Sequence, residues 1–241
     1  MFWIVLVVVA RPASRKLAKG DVLDRGVYLY GLSFSNTGAV GTPLALALFG
    51  TAGLFQLNLF MLSMVIATYA WGIGLFLGSD QKNPVKRFIQ NLINPVFVST
   101  VLGLTLGAIG AKNWMPGLAM NFLSDMGDCY IPVSLISAGY AIADYPLNEV
   151  FNRPRSYVFT TLRLIVIPAI AVGLAALAGL NVFEATLVVL AFAGPSGMNV
   201  VVFPASLGRD CKSGASIVLI SSLGSILSVP LIYSLVQMLF G

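Results

Sequence analysis

Ser35-Asn36-Thr37-Gly38-Ala39-Val40-Gly41-Thr42-Pro43 sits inside a run, Gly26 to Ser79, that holds no charged residue. The flanks are apolar and long enough to cross a bilayer, whereas the stretch itself gathers glycine, proline and small polar side chains. Hydrocarbon offers no partner to freed backbone groups, so a spanning segment stays helical unless its break lies against protein or a water-filled cavity. The stretch is therefore read as an interruption in mid-span.

Working outward, Gly194-Pro195-Ser196-Gly197-Met198-Asn199 repeats the pattern in the second half of the chain. A shift of 158 positions lays Leu32-Ser33-Phe34 on Leu190-Ala191-Phe192 and Phe49-Gly50 on Leu207-Gly208, with a polar cluster between them in both frames. Interrupted spans in corresponding positions of two halves are a pointer to a transporter binding site. The competing reading is that small residues and prolines only kink spans or let helices pack closely. It accounts for one break more readily than for two at one register.

Composition agrees with a multi-pass membrane protein. The chain is 58% hydrophobic and 10% charged, with a mean hydropathy of +0.91, against roughly 25% charged residues in a soluble domain. It has no histidine, so the commonest metal ligand and proton shuttle is missing. Cys129 and Cys211 lie far apart and form no ligand or disulfide framework. No metal, cofactor or nucleic-acid partner is expected. The net charge of +5 is explained by lysines and arginines in loops on one side of a membrane.

Met1 to Ala10 is shorter than the ~20 residues a span requires and is read as the tail of a helix, followed by a basic loop from Arg11 to Arg25. Gly26 to Ser79 holds two helices divided near Phe49-Gly50-Thr51-Ala52-Gly53, the first carrying the break. Asp80 to Arg87 is a polar loop, Phe88 to Gly110 a span entered through Asn94-Pro95, and Lys112 to Asp128 an interfacial segment leading into a span that ends near Ala143. Asp144 to Arg155 is a loop, Ser156 to Ala178 a span holding Arg163, Glu184 to Gly208 the second broken span, and Ser213 to Gly241 the last. Loops alternating sides then place Arg11, Arg15, Lys16, Lys19, Arg25, Lys82, Lys86, Arg87, Arg153, Arg155, Arg209 and Lys212 together, with Lys112 alone opposite. This one-sidedness puts those loops in the cytoplasm and the C-terminus outside a plasma or inner membrane. The two broken helices run in opposite directions, as an inverted repeat requires.

A helix interrupted in mid-membrane presents unpaired N–H groups where its second half begins, and the macrodipole there is worth roughly half a positive charge. Such ends hold an anion without a cationic side chain. Asn36, Thr37, Ser196 and Asn199 offer amides and hydroxyls, while Gly38, Gly41 and Gly197 let backbone come close. Pro43 and Pro195 remove donors that would close the helices. Arg163 has two readings: it snorkels to the surface near Arg155, or it belongs to the site, as an ionisable residue inside a span does by default. Glu184 opposes the dipole of its helix, and Asp125 and Asp128 are expected to cap or anchor the entry to their span. No nucleophile with a base, acid pair or metal constellation can be assembled, so an enzyme is not expected.

Ser35 to Leu44, followed by Leu48-Phe49-Gly50, resembles the S-N-T-G-x-x-G-x-P-L motif of the auxin efflux carrier family, which ends in a similar F/Y-G. Asn94-Pro95, Leu123-Ser124-Asp125-Met126-Gly127 with Ile131-Pro132 and Ser137-Ala138-Gly139, and Pro195 to Gly208 with Ser228-Val229-Pro230-Leu231 are similar to the same family in order along the chain. The resemblance implies an all-α polytopic membrane protein of two inverted five-helix repeats whose broken helices cross, like the NhaA and bile-acid transporters. On that pattern residues 1–80 are an incomplete first repeat (the end of helix 3, broken helix 4 and helix 5), and 81–241 a complete second repeat with broken helix 9. The first two helices and most of the third are expected to be missing. The resemblance also implies substrates such as auxin, malate or malonate, elevator-like movement, Asn36 and Pro43 in the first crossover, Pro195, Gly197 and Asn199 in the second, and Arg163 as the basic residue of the eighth helix. Cys129-Tyr130 and Phe203-Pro204 depart from the family pattern.

Two readings follow. The chain is a carrier for a small organic anion in a lipid bilayer, its oligomeric state open and a homodimer one alternative, or it is a shortened, non-transporting component that needs a partner.

Overall fold

The computed structural model describes residues 2–38, 40–76, 95–129, 132–133, 136, 139–140, 143, 145–209 and 212–241. The expectations for Ala39, the Asp80 to Arg87 loop, Asn94, Tyr130, Ile131, Ser137, Ala138, Asp144 and Cys211 lie outside them. The described chain is α-helical, and its only β feature among these residues is an isolated antiparallel bridge between Ser35 and Ser196.

The first helix, α1, runs Phe2–Ala18 and corrects the expected loop from Arg11 to Arg25. Ala10, Ser14, Leu17 and Ala18 are buried, whereas Arg11, Arg15 and Lys16 are exposed. That spacing is one helical face, so α1 continues past its first charged residue as an amphipathic helix. Arg15 and Lys16 in its last turn oppose the negative end of its dipole. Lys19 (φ 47°) and Gly20 (φ 98°) then stop it in the left-handed region.

Helix α2 (Val22–Ser33) is N-capped by Asp21, whose carboxylate accepts from the Asp24 amide at 2.9 Å. It packs against α1 and is buried on all sides from Gly26 to Ser33, as an element at the centre of a core must be. After the break, α3 (Gly41–Ala67) is bent at Gly50, whose φ of 64° and ψ of −158° few residues besides glycine adopt. This is the expected division between two helices. A π-turn (Thr68–Gly72) and a 3-10 turn (Ile73–Phe76) finish the segment.

Two helices, α4 (Pro95–Ala108) and α5 (Gly117–Asp128), follow; no residue of α5 is buried. Asp125 and Asp128 lie exposed in the last turn of α5, and most of the span whose entry they are expected to cap or anchor lies outside the described residues. A short helix α6 (Leu147–Phe151) interrupts the expected loop before Arg155.

Helix α7 spans Pro154–Leu177 with a π-turn at Leu162–Val166 that carries Arg163. Helix α8 (Val182–Ala193) opens with a capping box between Asn181 and Glu184, which also sets Glu184 in the first turn, where it opposes the helix dipole as expected. It is buried from Ala185 to Ala193, and α9 (Asn199–Ser206) and α10 (Lys212–Phe240) complete the chain. Among the described residues α3, α7 and α10, of 27, 24 and 29 residues, are long and apolar enough to cross a membrane.

The core divides into two clusters, each built around one half-helix. Val27, Tyr28, Leu29, Tyr30, Leu32 and Phe34 anchor the first, with Phe76 and residues of α9 and α10 around them. Ala185, Leu187 to Val189 and Ala191 to Ala193 anchor the second, against α7, α3 and Val236. Both half-helices have 12 residues, or roughly 18 Å at 1.5 Å per residue. That length is a little over half of a ~30 Å hydrocarbon layer.

Candidate functional site

The breaks meet. Where α2 ends at Ser33 and α8 at Ala193, the chains pass antiparallel and exchange two backbone bonds: the Asn36 amide donates to Pro195 O at 2.9 Å and the Gly197 amide to Phe34 O at 3.4 Å. Each bond is the counterpart of the other with the two segments exchanged. The sequence register laid Ser35 on Ala193, but the bridge pairs it with Ser196, three residues further on. Gly50 and Gly208, both at positive φ, keep the original register. The first break, residues 34–40, is two residues longer than the second, residues 194–198.

Pairing across the break satisfies backbone groups that neither helix can satisfy alone. The Asn36 amide is the one that would otherwise close the last turn of α2 onto Leu32 O. Leu32 O instead accepts from Arg163 Nη1 at 2.9 Å, and Gly194 O accepts from Arg163 Nε at 3.1 Å. One planar guanidinium thus joins the carbonyl ends of both half-helices, where the two negative dipole ends favour a cation. Arg163 is 0% exposed. This overturns the snorkelling alternative: the π-turn directs the side chain inward to carbonyls that lack helical partners. Its Nη2 makes no hydrogen bond among the described residues.

The remaining candidates divide by exposure. Thr37 is buried, and its hydroxyl donates to Ala191 O at 2.8 Å, tying the middle of the first break to α8. Ser196 is buried; its amide donates to the Ser221 hydroxyl at 3.1 Å, while its own hydroxyl has no partner among the described residues. Pro195, Gly197 and Gly41 are buried in the crossing. A Cβ on Gly194 would stand 2.6 Å from Ser35 Oγ, and one on Gly31 would stand 2.8 Å from Ser196 Oγ. Each serine therefore packs into a space that the other strand leaves by carrying glycine. Asn36, Gly38, Pro43 and Asn199 remain partly exposed.

Asn199 donates from Nδ2 to the Tyr30 hydroxyl at 2.7 Å, placing its side chain against α2. Tyr30 lies in an aromatic cluster with Phe34 (4.5 Å between ring centroids), Phe76 (5.5 Å) and Phe203 (5.7 Å). Sequence reasoning missed Tyr30 and Ser221. The available signal was weak: polar side chains inside charge-free segments, facing the same way as the breaks.

A family model described as membrane transport protein matches residues 1–233. The chain belongs to that family. Membership bears out the resemblance to auxin efflux carriers, and with the long apolar helices it makes this a membrane-embedded, multi-pass protein of a transporter family. Among curated proteins, the uncharacterized transporter MJ1031 of Methanocaldococcus jannaschii is 26% identical over 199 residues, covering 81% of this chain. The chain spans 63% of the length of that relative. No solved structure matches it.

Proposed function

We propose that this member of the membrane transport protein family binds a small organic anion, a carboxylate or an auxin-like acid, at the crossing and carries it across the membrane by alternating access. The observation that carries the reading is the pair of helix starts at one bridge. Among the described residues the amides of Gly38 and Gly41, and those of Met198 and Asn199, make no hydrogen bond. They stand where α3 and α9 begin, at positive dipole ends. Asn36 and Asn199 are the partly exposed amide side chains beside them, and neither break contains an acidic residue.

In this reading Asn36, Gly38 and Asn199 touch the anion, while Gly41, Gly197, Pro43 and Pro195 shape its backbone cradle. Thr37, Ser196 and Arg163 are positioning residues that hold the two strands together. The antiparallel bridge and the equal lengths of α2 and α8 support the inverted repeats of 1–80 and 81–241. The meeting of Lys19, Arg153 and Arg155 around one cavity supports the one-sided charge arrangement, with its cytoplasmic loops and external C-terminus in a plasma or inner membrane.

The test is binding and uptake of malonate, malate and indole-acetate by the purified protein in proteoliposomes. Asn36→Ala and Asn199→Ala are each expected to weaken affinity roughly tenfold, as loss of a ~1 kcal/mol hydrogen bond or somewhat more predicts. Unchanged affinity in both variants rejects the crossing as the binding site.

A further inference from the structure

At the opposite end of α2 from the crossing is a cavity with charged side chains in its lining. It holds about 560 Å³, and its lining includes Lys19, Asp24, Arg153, Arg155, Ser213 and Val158. The volume falls within the roughly 300–1,000 Å³ range of small-molecule sites. We propose that it is a binding site for the phosphodiester headgroup of an anionic glycerophospholipid.

Four observations lead there. Three cations face one acid, an excess that selects an anion. These cations come from separate parts of the chain, Lys19 from the turn after α1 and the two arginines from the start of α7, so no local charge run explains their convergence. Lys19 is directed by its own left-handed backbone (φ 47°), and Arg153 is held by a 3.1 Å bond from Nη1 to Ser213 Oγ. The helices α2, α7 and α10 all begin here, adding the positive ends of their dipoles.

The surroundings favour a lipid as the source of the phosphate. The cavity lies where the two long apolar helices α7 and α10 begin, which is the depth of headgroups. Val158 lines the cavity and is 54% exposed. Beside it Tyr157 is 48% exposed. A ligand seated on the arginines would therefore lay its acyl chains along an apolar helix flank. Asp24 does not belong in a site for bare phosphate, but it accepts from the hydroxyls of a glycerol headgroup. Phosphatidylglycerol has that combination of one phosphodiester charge and neighbouring hydroxyls.

The experiment is native mass spectrometry of the purified full chain, titrated with phosphatidylglycerol, with phosphatidylcholine of the same acyl chains, and with soluble glycerol phosphate. One phosphatidylglycerol is expected to bind at least tenfold tighter than phosphatidylcholine. Lys19→Gln and Arg155→Gln are each expected to weaken it about fivefold, the ~1 kcal/mol that a basic residue contributes at an anionic membrane surface. Lys212→Gln removes the same charge from the same end of the protein, but Lys212 is already paired with Glu149 at 3.0 Å. It is expected to leave binding unchanged. Equal binding of the two lipids, or an equal loss in Lys212→Gln, overturns the site. Glycerol phosphate binding as tightly as phosphatidylglycerol overturns its assignment to a lipid.

Discussion

Replacing Arg163 with methionine separates a residue that holds the crossing from one that holds the anion. The guanidinium donates to Leu32 O and Gly194 O, at 2.9 and 3.1 Å. Methionine fills most of the side-chain volume and leaves both carbonyls without a donor. A buried polar group stripped of its partner costs about 1–3 kcal/mol, so the two together cost about 2–6 kcal/mol. Removing a buried charge recovers part of this, because that charge had to be desolvated, and the net loss is set at about 2–4 kcal/mol. For a chain of this length each kcal/mol moves the melting temperature by roughly 2–4 °C, so thermal unfolding in detergent should fall by roughly 4–16 °C. Arg163→Lys keeps the charge but loses the two-pronged geometry, and should fall between wild type and Arg163→Met. Anion affinity of the folded fraction, measured well below the melting transition, should change less than twofold. An unaltered melting temperature with a tenfold or greater loss of affinity would refute the reasoning and make Arg163 a direct ligand.

Two further predictions concern backbone geometry. Gly194→Ala sets a Cβ 2.6 Å from Ser35 Oγ and should destabilise the protein by about 1–3 kcal/mol through overpacking; the double variant with Ser35→Gly should recover most of that in the same melting assay. Gly50→Ala has open space around its Cβ but a φ of 64°, so its cost is backbone strain of about 1–3 kcal/mol. Because no neighbour is crowded there, no second-site change of a contacting side chain should rescue it, which a paired melting series would check.

Much of this protein was legible from local sequence because the decisive signals are themselves local. A run from Gly26 to Ser79 without a charge has no stable place except a bilayer or a fully buried core. Gly, Pro and Asn gathered inside it mark a break wherever the chain is read, and Glu184 marks the first turn of its helix. Gly50 announced the bend in the same way. The end of α1 is less legible, because its first charged residue is not its boundary: Arg11, Arg15 and Lys16 occupy only the exposed face of a helix that continues to Ala18. The pairing of Ser35 with Ser196, the clamp of Arg163 on Leu32 and Gly194, and the bond from Asn199 to Tyr30 were decided only in three dimensions. Their partners are separated by long stretches of chain and have no periodicity to betray them. Sequence alone determined where the two broken helices must stop, since the backbone preferences of a few adjacent residues decide that; which unsatisfied carbonyl and amide then meets which was decided by how the two half-helices pack, and the buried arginine turns inward because that packing leaves two carbonyl ends without partners.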